Sequence, residues 1–300
     1  MTPAVSVLMS VYNGERYLAA AVNSILNQTF GDFEFIVVDD GSTDRSAAML
    51  ERLAAGDSRL RVVTQPNAGL TASLNTAARM ARAPLLARMD PDDIAMPMRL
   101  AAQVAYLSAN RHVTALGTRV VLIDPYNTPI GRPQHPLKHA DIDADLLRGE
   151  GWAIVHPTAV FRREAFERVG GYDERFRTSQ DFDLWLRMAE TGRLANLEAP
   201  LLQYRQHLGS ANFAKADQQQ ALKIKILSEA HRRRGLPPLD AATLAPPPLS
   251  KPFESRRRWG WAAVKERRMP AARRHAIRNL RERPTAIEMW KMLFCTVRGY

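Results

Sequence analysis

The chain has almost no cysteine and no long apolar run, and each absence excludes a class of protein. Cys295 is the single cysteine in 300 residues, so no intramolecular disulfide can form. No stretch of 18 residues is apolar without charge, so we expect no membrane-spanning helix. The N-terminal residues lack a basic segment followed by an apolar one, so we expect no signal peptide. We therefore expect a cytoplasmic protein.

The positive charge is concentrated in the last part of the chain. The formal net charge is +11, but the residues from Lys215 onward contain 20 Lys and Arg against 7 Asp and Glu. This segment therefore carries about +13, and everything before it about −2. Basic tails bind anionic surfaces, either nucleic acid or the cytoplasmic face of a membrane. We expect the two parts of the chain to do different jobs.

The first ninety residues alternate strand and helix patterns. The predicted strands in this segment are continuous apolar runs, which are typical of parallel strands covered on both faces. A βαβαβ order of this kind predicts an α/β fold with a mostly parallel, doubly wound sheet flanked by helices. The predicted strands are 5–11, 33–38, 61–64 and 84–88, and the predicted helices are 14–27, 42–53 and 70–81.

After residue 93 the pattern is looser. We predict helices over 98–110, 163–169 and 181–190, strands over 113–123, 158–161 and 194–204, and a surface excursion over 124–136. Two proline clusters, 237–238 and 246–248, bracket a stretch that we interpret as a linker or extended segment. Beyond it, three short helices are predicted over 256–267, 270–281 and 284–297.

Acidic clusters follow two of the predicted strands. Asp39 and Asp40 end one strand, and Asp90, Asp92 and Asp93 follow another. Open α/β sheets bind ligands in the crevice outside the carboxyl ends of their strands. Two acidic clusters there would repel each other unless a divalent cation or ligand donor groups lay between them. A nucleoside diphosphate with its metal would satisfy the arrangement; a helix-capping turn and an acidic capping loop are the alternative interpretations.

Taken together and in order, the motifs of the first 210 residues resemble those of the family 2 glycosyltransferases, which have the GT-A fold. Each motif alone would be weak, and the order makes the combination specific. They are Val7 to Gly14, Val37 to Asp44, Asn67 to Leu70, Arg88 to Asp93, His156-Pro157-Thr158, Gly170 to Asp173, Gln180 to Arg187 and Tyr204 to His207.

The resemblance implies a nucleotide-sugar donor, with UDP-sugar foremost, and a divalent cation, Mn²⁺ or Mg²⁺. Asp181 would be the catalytic base of an inverting transfer to a hydroxyl of a glycan or lipid-linked acceptor. Asp92 and His207 would contact the metal. Relatives commonly carry Glu where this chain has Gln180, which we expect to alter acceptor preference. The implied donor-binding residues are Ser10, Tyr12, Asn13, Glu15, Asp39, Asp40, Asn67, Gly69, Arg88 and Asp90.

The implied domain organisation has three parts. Residues 1–210 form the GT-A domain, with a nucleotide-binding half over 1–93 and an acceptor half over 94–210. Residues 211–300 form a basic helical extension. The acceptor, the linkage and the donor sugar are left open, because the segment over 95–151 carries no motif that identifies them.

The basic extension mixes arginine with tryptophan. Arg256-Arg257-Arg258 precedes two tryptophans, and in the last predicted helix Ile287, Trp290, Phe294 and Val297 fall on one face. A basic amphipathic helix can lie in a membrane interface, or its apolar face can pack against the catalytic domain or a second subunit. We expect the apolar face of the last helix to pack in the second way. We expect the arginine clusters at 232–234, 256–258 and 267–268 to contact the inner face of the cell membrane.

Two other functions fit parts of the pattern. A sugar-nucleotide nucleotidyltransferase shares the sheet type, but it relies on a Gly-rich loop with a basic residue, which Val7 to Gly14 lacks. A nucleic-acid-binding protein could use the basic tail, but the tail contains no recognisable binding module or stacking platform. We therefore expect no nucleic-acid partner.

Overall fold

The computed structural model describes residues 2–209, 216–240, 244 and 251–298. Most of the segment predicted as a linker between the proline clusters lies outside the described residues. The described chain forms nine strands: β1 (Val5–Val11), β2 (Phe33–Asp39), β3 (Leu60–Thr64), β4 (Leu85–Arg88), β5 (Ile94–Ala95), β6 (Val113–Ile123), β7 (Pro129–Gly131), β8 (Val160–Arg162) and β9 (Arg193–Arg205).

Helices cover this sheet and form the C-terminal part of the chain. None of those in the described residues is long and apolar enough to cross a membrane. The helices are α1 (Leu18–Leu26), α2 (Ser46–Gly56), α3 (Leu70–Met80), α4 (Arg99–Ala109), α5 (His139–Leu147), α6 (Arg163–Arg168), α7 (Gln180–Thr191), α8 (Ala216–Arg233), α9 (Pro252–Lys265), α10 (Met269–Glu282) and α11 (Ile287–Arg298).

The sheet is mixed, with its parallel strands first. The strand order is β3-β2-β1-β4-β8-β6-β9-β5, and β7 pairs with β6. Strands β3, β2, β1 and β4 pair in parallel, whereas β8 is antiparallel to both β4 and β6. Every residue of β1 and of β2 is buried, as continuous apolar runs in central parallel strands require. The expected α/β class with C-terminal helices is confirmed.

The parallel register brings four loops to one edge of the sheet. Val11 pairs with Asp39 at the ends of β1 and β2, Asp39 pairs with Thr64 at the end of β3, and Leu8 pairs with Arg88 at the end of β4. The segments that follow these strands therefore emerge side by side. This edge holds the acidic clusters predicted to bind a ligand.

Several elements differ from the sequence prediction. Helix α1 begins at Leu18 rather than at residue 14, because Asn13 adopts a left-handed backbone (φ 53°) and residues 15–17 form turns. Strand β7 lies inside the predicted surface excursion. Helix α5 was not predicted, since only Ile142 and Leu146 are buried in it and two apolar residues make a weak periodic signal.

The chain divides into two compact units that are not contiguous in sequence. The first comprises Met1–Val120, Gln134–Leu202 and Gln218–Ala245, and the second comprises Val121–Pro133, Gln203–Asp217 and Pro246–Tyr300. This division into compact units does not test the functional boundary expected at residue 210, so that boundary stays a prediction.

The second unit contains the three C-terminal helices and two small cores. Trp259 and Ala263 of α9 pack with Ala272 of α10 and Ile130 of β7. The other core joins α10 to α11, and its buried members are Ala276, Leu280, Met289 and Met292.

Candidate active site

The loops after β1 and β2 are tied together by side chains predicted to bind the donor. The Oδ1 atom of Asn13 accepts hydrogen bonds from the amides of Thr43 (2.8 Å) and Asp44 (3.3 Å). The amide of Glu15 donates to Asp44, and the Glu15 carboxylate accepts from the amide of Arg45, each at 3.1 Å. These contacts hold the two loops in one arrangement at the edge of the sheet.

Asp40 organises the loop that follows β3. Its carboxylate accepts three hydrogen bonds, from the side-chain amide of Gln65 (2.8 Å) and from the backbone amides of Ala68 (2.9 Å) and Gly69 (2.8 Å). Gly69 has a φ of 92° and precedes helix α3. Asp40 therefore fixes the segment that contains Asn67 and Gly69, and a direct contact with the nucleotide stays a prediction.

Gly41 lets the β2 loop pass against the β3 loop. Its φ is 74°, and a methyl group at its Cα would lie 2.9 Å from the amide nitrogen of Asn67 and 3.3 Å from the carbonyl oxygen of Gln65. A side chain at this position would meet both strain and backbone atoms. The glycine in the sequence motif is thus explained by loop packing.

The remaining predicted residues of this pocket differ in exposure. Ser10 and Asp39 are buried at the strand ends, and Asp39 accepts a 3.2 Å hydrogen bond from the amide of Ser42. Tyr12 is 54% exposed and Asn67 is exposed. Donor contacts by these residues stay predictions.

An acidic cluster follows β4. Carboxylate oxygens of Asp90, Asp92 and Asp93 all lie within 4.8 Å of one another. Burial and the neighbouring charge of Asp92 raise the pKa of Asp90, while the Arg88 guanidinium opposes the shift. Three converging carboxylates are a donor set that fits a hard divalent cation. The sequence analysis placed all three residues in one cluster but assigned roles only to Asp90 and Asp92, and the structure shows that the buried Asp93 also has an oxygen within reach of the same ion.

Two buried arginines support this cluster from behind. Arg88 Nη2 donates to the carboxylate of Asp90, and Arg99 Nη2 donates to the carbonyl oxygen of Arg88 at 2.7 Å. Burial lowers the pKa of Arg99 to about 9, and the negative charge of Asp93 opposes this. Arg88 therefore holds the carboxylate of Asp90 in place, and Arg99 holds the backbone of Arg88. Binding of the donor by Arg88 stays a prediction.

Asp181 lies in the first turn of α7, directly after the buried Gln180. Burial raises its pKa to about 6, with a further increase from the charge of Asp90 and an opposing effect from Arg88. Because charges must lie near each other to act in this way, the predicted base and the acidic cluster share one electrostatic environment. The backbone amides at the start of α7 also hydrogen-bond the carboxylate, so its ionised form remains accessible.

Two buried aromatic groups complete this environment, and the sequence analysis assigned them no role. The Nε2 atom of His156 lies 2.8 Å from the Tyr172 hydroxyl oxygen. Burial raises the pKa of Tyr172, and the charges of Asp181 and Asp90 add to that effect. Burial lowers the pKa of His156 well below its usual value, with Arg88 adding to the shift. Both rings are therefore neutral. The two sequence motifs that contain these residues were the signal that could have identified them.

His207 lies two residues after β9 and is half-buried. It belongs to the second compact unit, whereas the acidic cluster belongs to the first. Its role as a metal contact stays a prediction.

Comparison with known proteins defines the class. Residues 6–170 match the family model described as glycosyl transferase family 2. EpsE of Bacillus subtilis is 35% identical over 251 residues, which cover 82% of this chain and 88% of EpsE. The O-antigen biosynthesis glycosyltransferase WbnJ of Escherichia coli is 33% identical over 207 residues, covering 68% of this chain and 80% of WbnJ.

Solved structures share the whole fold at low identity. S. aureus TarS 1–349 in complex with UDP-GlcNAc superposes with a TM-score of 0.61 and 18% identity, covering 100% of this chain and 92% of that one. The mannosyltransferase PcManGT from Pyrobaculum calidifontis, solved with GDP-Man and Mn²⁺, gives a TM-score of 0.55 and 19% identity, covering 100% and 86%.

The mixed sheet flanked by helices, with carboxylates at the ends of its parallel strands, defines a GT-A glycosyltransferase fold. The family match extends over more than half of the chain. The chain therefore belongs to glycosyl transferase family 2 and is a glycosyltransferase.

Proposed function

We propose that this enzyme moves a sugar from a nucleotide sugar, with UDP as the expected nucleotide, to a hydroxyl of a glycan or lipid-linked acceptor, with inversion. The observation that carries the proposal is the electrostatic interaction of Asp181 with Asp90, whose carboxylate groups with those of Asp92 and Asp93. It supports one site with a proton acceptor on one side and a cation-binding donor set on the other.

The acidic cluster supports a metal-dependent reaction. Asp90 and Asp92 would hold Mn²⁺ or Mg²⁺, with Asp93 close enough to share the ion and His207 as a further predicted contact. The presence of Mn²⁺ in the PcManGT complex favours manganese as the first ion to test. When bound, the cation would offset the negative charge of the departing nucleoside diphosphate.

The environment of Asp181 supports its role as the base. Its raised pKa means that the carboxylate has a higher proton affinity than a solvated aspartate, which favours removal of a proton from an acceptor hydroxyl. That hydroxyl would form its bond to the anomeric carbon on the face opposite the leaving diphosphate, which inverts the configuration. His156 and Tyr172 are neutral, so neither side chain would compete with Asp181 for this proton.

The strand-end loops support recognition of the nucleotide. Tyr12 offers an exposed ring, and the loops that Asn13 and Asp40 hold in place surround the edge where Asp39 ends β2. TarS was solved with UDP-GlcNAc and PcManGT with GDP-Man, so the two nucleotides are the donors to compare first.

The relatives support a place in polysaccharide synthesis. WbnJ is named for O-antigen biosynthesis, and a chondroitin synthase of Escherichia coli is 27% identical over 245 residues. We propose that the enzyme works in the cytoplasm at the inner face of the cell membrane, to which its basic C-terminal part is attracted.

A donor and metal panel tests the function. UDP- and GDP-sugars are incubated with the purified enzyme and candidate acceptors in Mn²⁺, Mg²⁺ or EDTA, and nucleoside diphosphate release is followed. Proton NMR of the first product then gives its anomeric configuration. We expect metal-dependent release and inversion. Full turnover in EDTA would contradict the metal proposal, and retained configuration would contradict the assignment of Asp181 as a base.

A further inference from the structure

Helix α11 in the second unit has one packed face and one exposed face. Met289 and Met292 are fully buried against α10, and Thr296 is buried on the same side. The opposite face is apolar and lies in solvent in the described part of the chain. Its exposed fractions are 69% at Ile287, 54% at Trp290, 56% at Phe294 and 73% at Val297.

These are the side chains that the sequence analysis expected to pack against the catalytic domain or a second subunit. In the described residues the packed stripe consists of the residues at 289, 292 and 296 instead, so the expectation is wrong for packing within the chain. Packing against a second subunit stays a prediction. Together with Trp261, the exposed residues line an open apolar groove of about 750 Å³. An apolar surface of this kind marks an interaction site.

Two of the arginines that were expected to contact the membrane are already paired with side chains of the second unit. Arg256 is buried and donates to Asn279 at 2.7 Å and to Glu282. Arg257 pairs with Glu254 (2.7 Å) and Glu288 (2.8 Å). These two cations hold α9 to α10 and α11 and are not available as a free cationic surface.

Cations instead flank the exposed apolar face of α11. Lys291 and Arg298 follow Ile287 and Phe294 by four residues and lie on the same side of the helix. The Arg298 guanidinium lies 4.5 Å from the centroid of the Phe294 ring. The one acidic residue of α11, Glu288, is already paired with Arg257. An apolar face bordered by long cations is typical of a helix in a lipid interface.

We propose that the exposed face of α11 inserts into the surface of an anionic lipid bilayer, with Lys291 and Arg298 reaching the lipid headgroups. Charge decides between this occupant and a second copy of the chain. Residues 252–298, which form α9 to α11, contain 13 Lys and Arg against 4 Asp and Glu, a net charge of +9. Two such surfaces would therefore repel each other, whereas an anionic bilayer attracts them. The inference specifies the surface for the membrane placement proposed above and does not depend on the transferase chemistry.

Vesicle sedimentation with the full chain tests this. Vesicles contain phosphatidylcholine alone or mixed with phosphatidylglycerol. We expect binding that requires the anionic lipid and weakens with salt. It should fall by about tenfold or more for W290A/F294A, because each substitution removes a large apolar group that the bilayer would bury. Leu236→Ala, which truncates a 38% exposed leucine elsewhere, is the matched control and should bind as the unsubstituted chain does.

Two further measurements keep the test decisive. Trp290→Phe should still bind but lose part of the tryptophan quenching by brominated lipid, and Lys291→Glu should weaken binding to anionic vesicles. Circular dichroism and UDP binding establish that each variant is folded. Equal vesicle binding by W290A/F294A, or loss of self-association in that variant without any vesicle binding, would overturn the proposal; the latter would assign the face to a second copy.

Discussion

The Nε2 atom of His156 and the hydroxyl oxygen of Tyr172 form a buried 2.8 Å hydrogen bond beside the charges of Asp181, Asp90 and Arg88. Their rings meet edge to face at 5.6 Å, and His156 also lies edge to face with Trp185 at 6.0 Å. The pair thus links two loop motifs to the helix that carries Asp181. It shows which side chains these motifs contact, which the sequence alone did not reveal.

Removing this hydrogen bond should destabilise the protein. Tyr172→Phe leaves a buried imidazole nitrogen without its partner, and we expect a loss of about 1–3 kcal/mol in the free energy of unfolding. Urea denaturation measures it. Tyr126→Phe is the control, because its hydroxyl accepts an exposed bond from Arg278 and should change stability by less than about 0.5 kcal/mol. Equal effects would contradict the role of the buried pair.

Asp181→Asn should remove the base while keeping the shape of the side chain. We expect turnover to fall by about 10²–10⁴, the range for loss of a general base, with UDP affinity nearly unchanged. Steady-state kinetics and calorimetric UDP titration provide the two readouts. Asp141→Asn makes the same change in the first turn of α5 at an exposed position and should leave turnover unaffected. A large loss of UDP affinity in Asp181→Asn would instead indicate a donor ligand.

The pH profile should report the same carboxylate. A base with a pKa of about 6 must be deprotonated to act, so kcat/KM should fall about tenfold per pH unit below pH 6. The stability of the fold should depend on pH in the opposite direction. The folded state holds this proton more tightly than the unfolded chain, so stability should decrease as pH rises from about 4 through 6. A profile without an inflection near pH 6 would argue against Asp181 as the base.

Asp92→Ala should weaken nucleotide binding only when metal is present. Loss of one carboxylate from a three-carboxylate set lowers cation affinity, so we expect about tenfold weaker UDP binding with Mn²⁺ and little change in EDTA. Fluorescence titration under both conditions measures this. Asp141→Ala serves as the control. Unchanged affinity in Mn²⁺ would place the ion elsewhere.

Gly41→Ala should disturb the nucleotide loops. The left-handed backbone costs a residue with a side chain about 1–2 kcal/mol, and the added methyl group would press on the amide of Asn67. We expect lower stability and weaker UDP binding. Gly31→Ala is the matched control, because a methyl group there meets nothing within 4 Å. Comparable losses in both variants would show that loop packing at Gly41 is unimportant.

Much of the fold was predictable because its signals are local. Continuous apolar runs identified β1 and β2, and turn formers after them located the strand ends where acidic residues gather. Strand β6 was predicted with its observed bounds, Val113–Ile123. Helix α5 was missed because just two of its residues, Ile142 and Leu146, face the core.

The sequence by itself determined the α/β class, the order of the motifs and the residue types of the site, since these depend on periodicity and on the chemistry of neighbours along the chain. Only the tertiary structure decided which partners those residues meet. It joined Asp40 to the β3 loop, joined Asn13 to the β2 loop, and turned Trp290 and Phe294 outward on α11. Each of these depends on contacts between segments far apart in the chain, for which a single sequence carries no local signal.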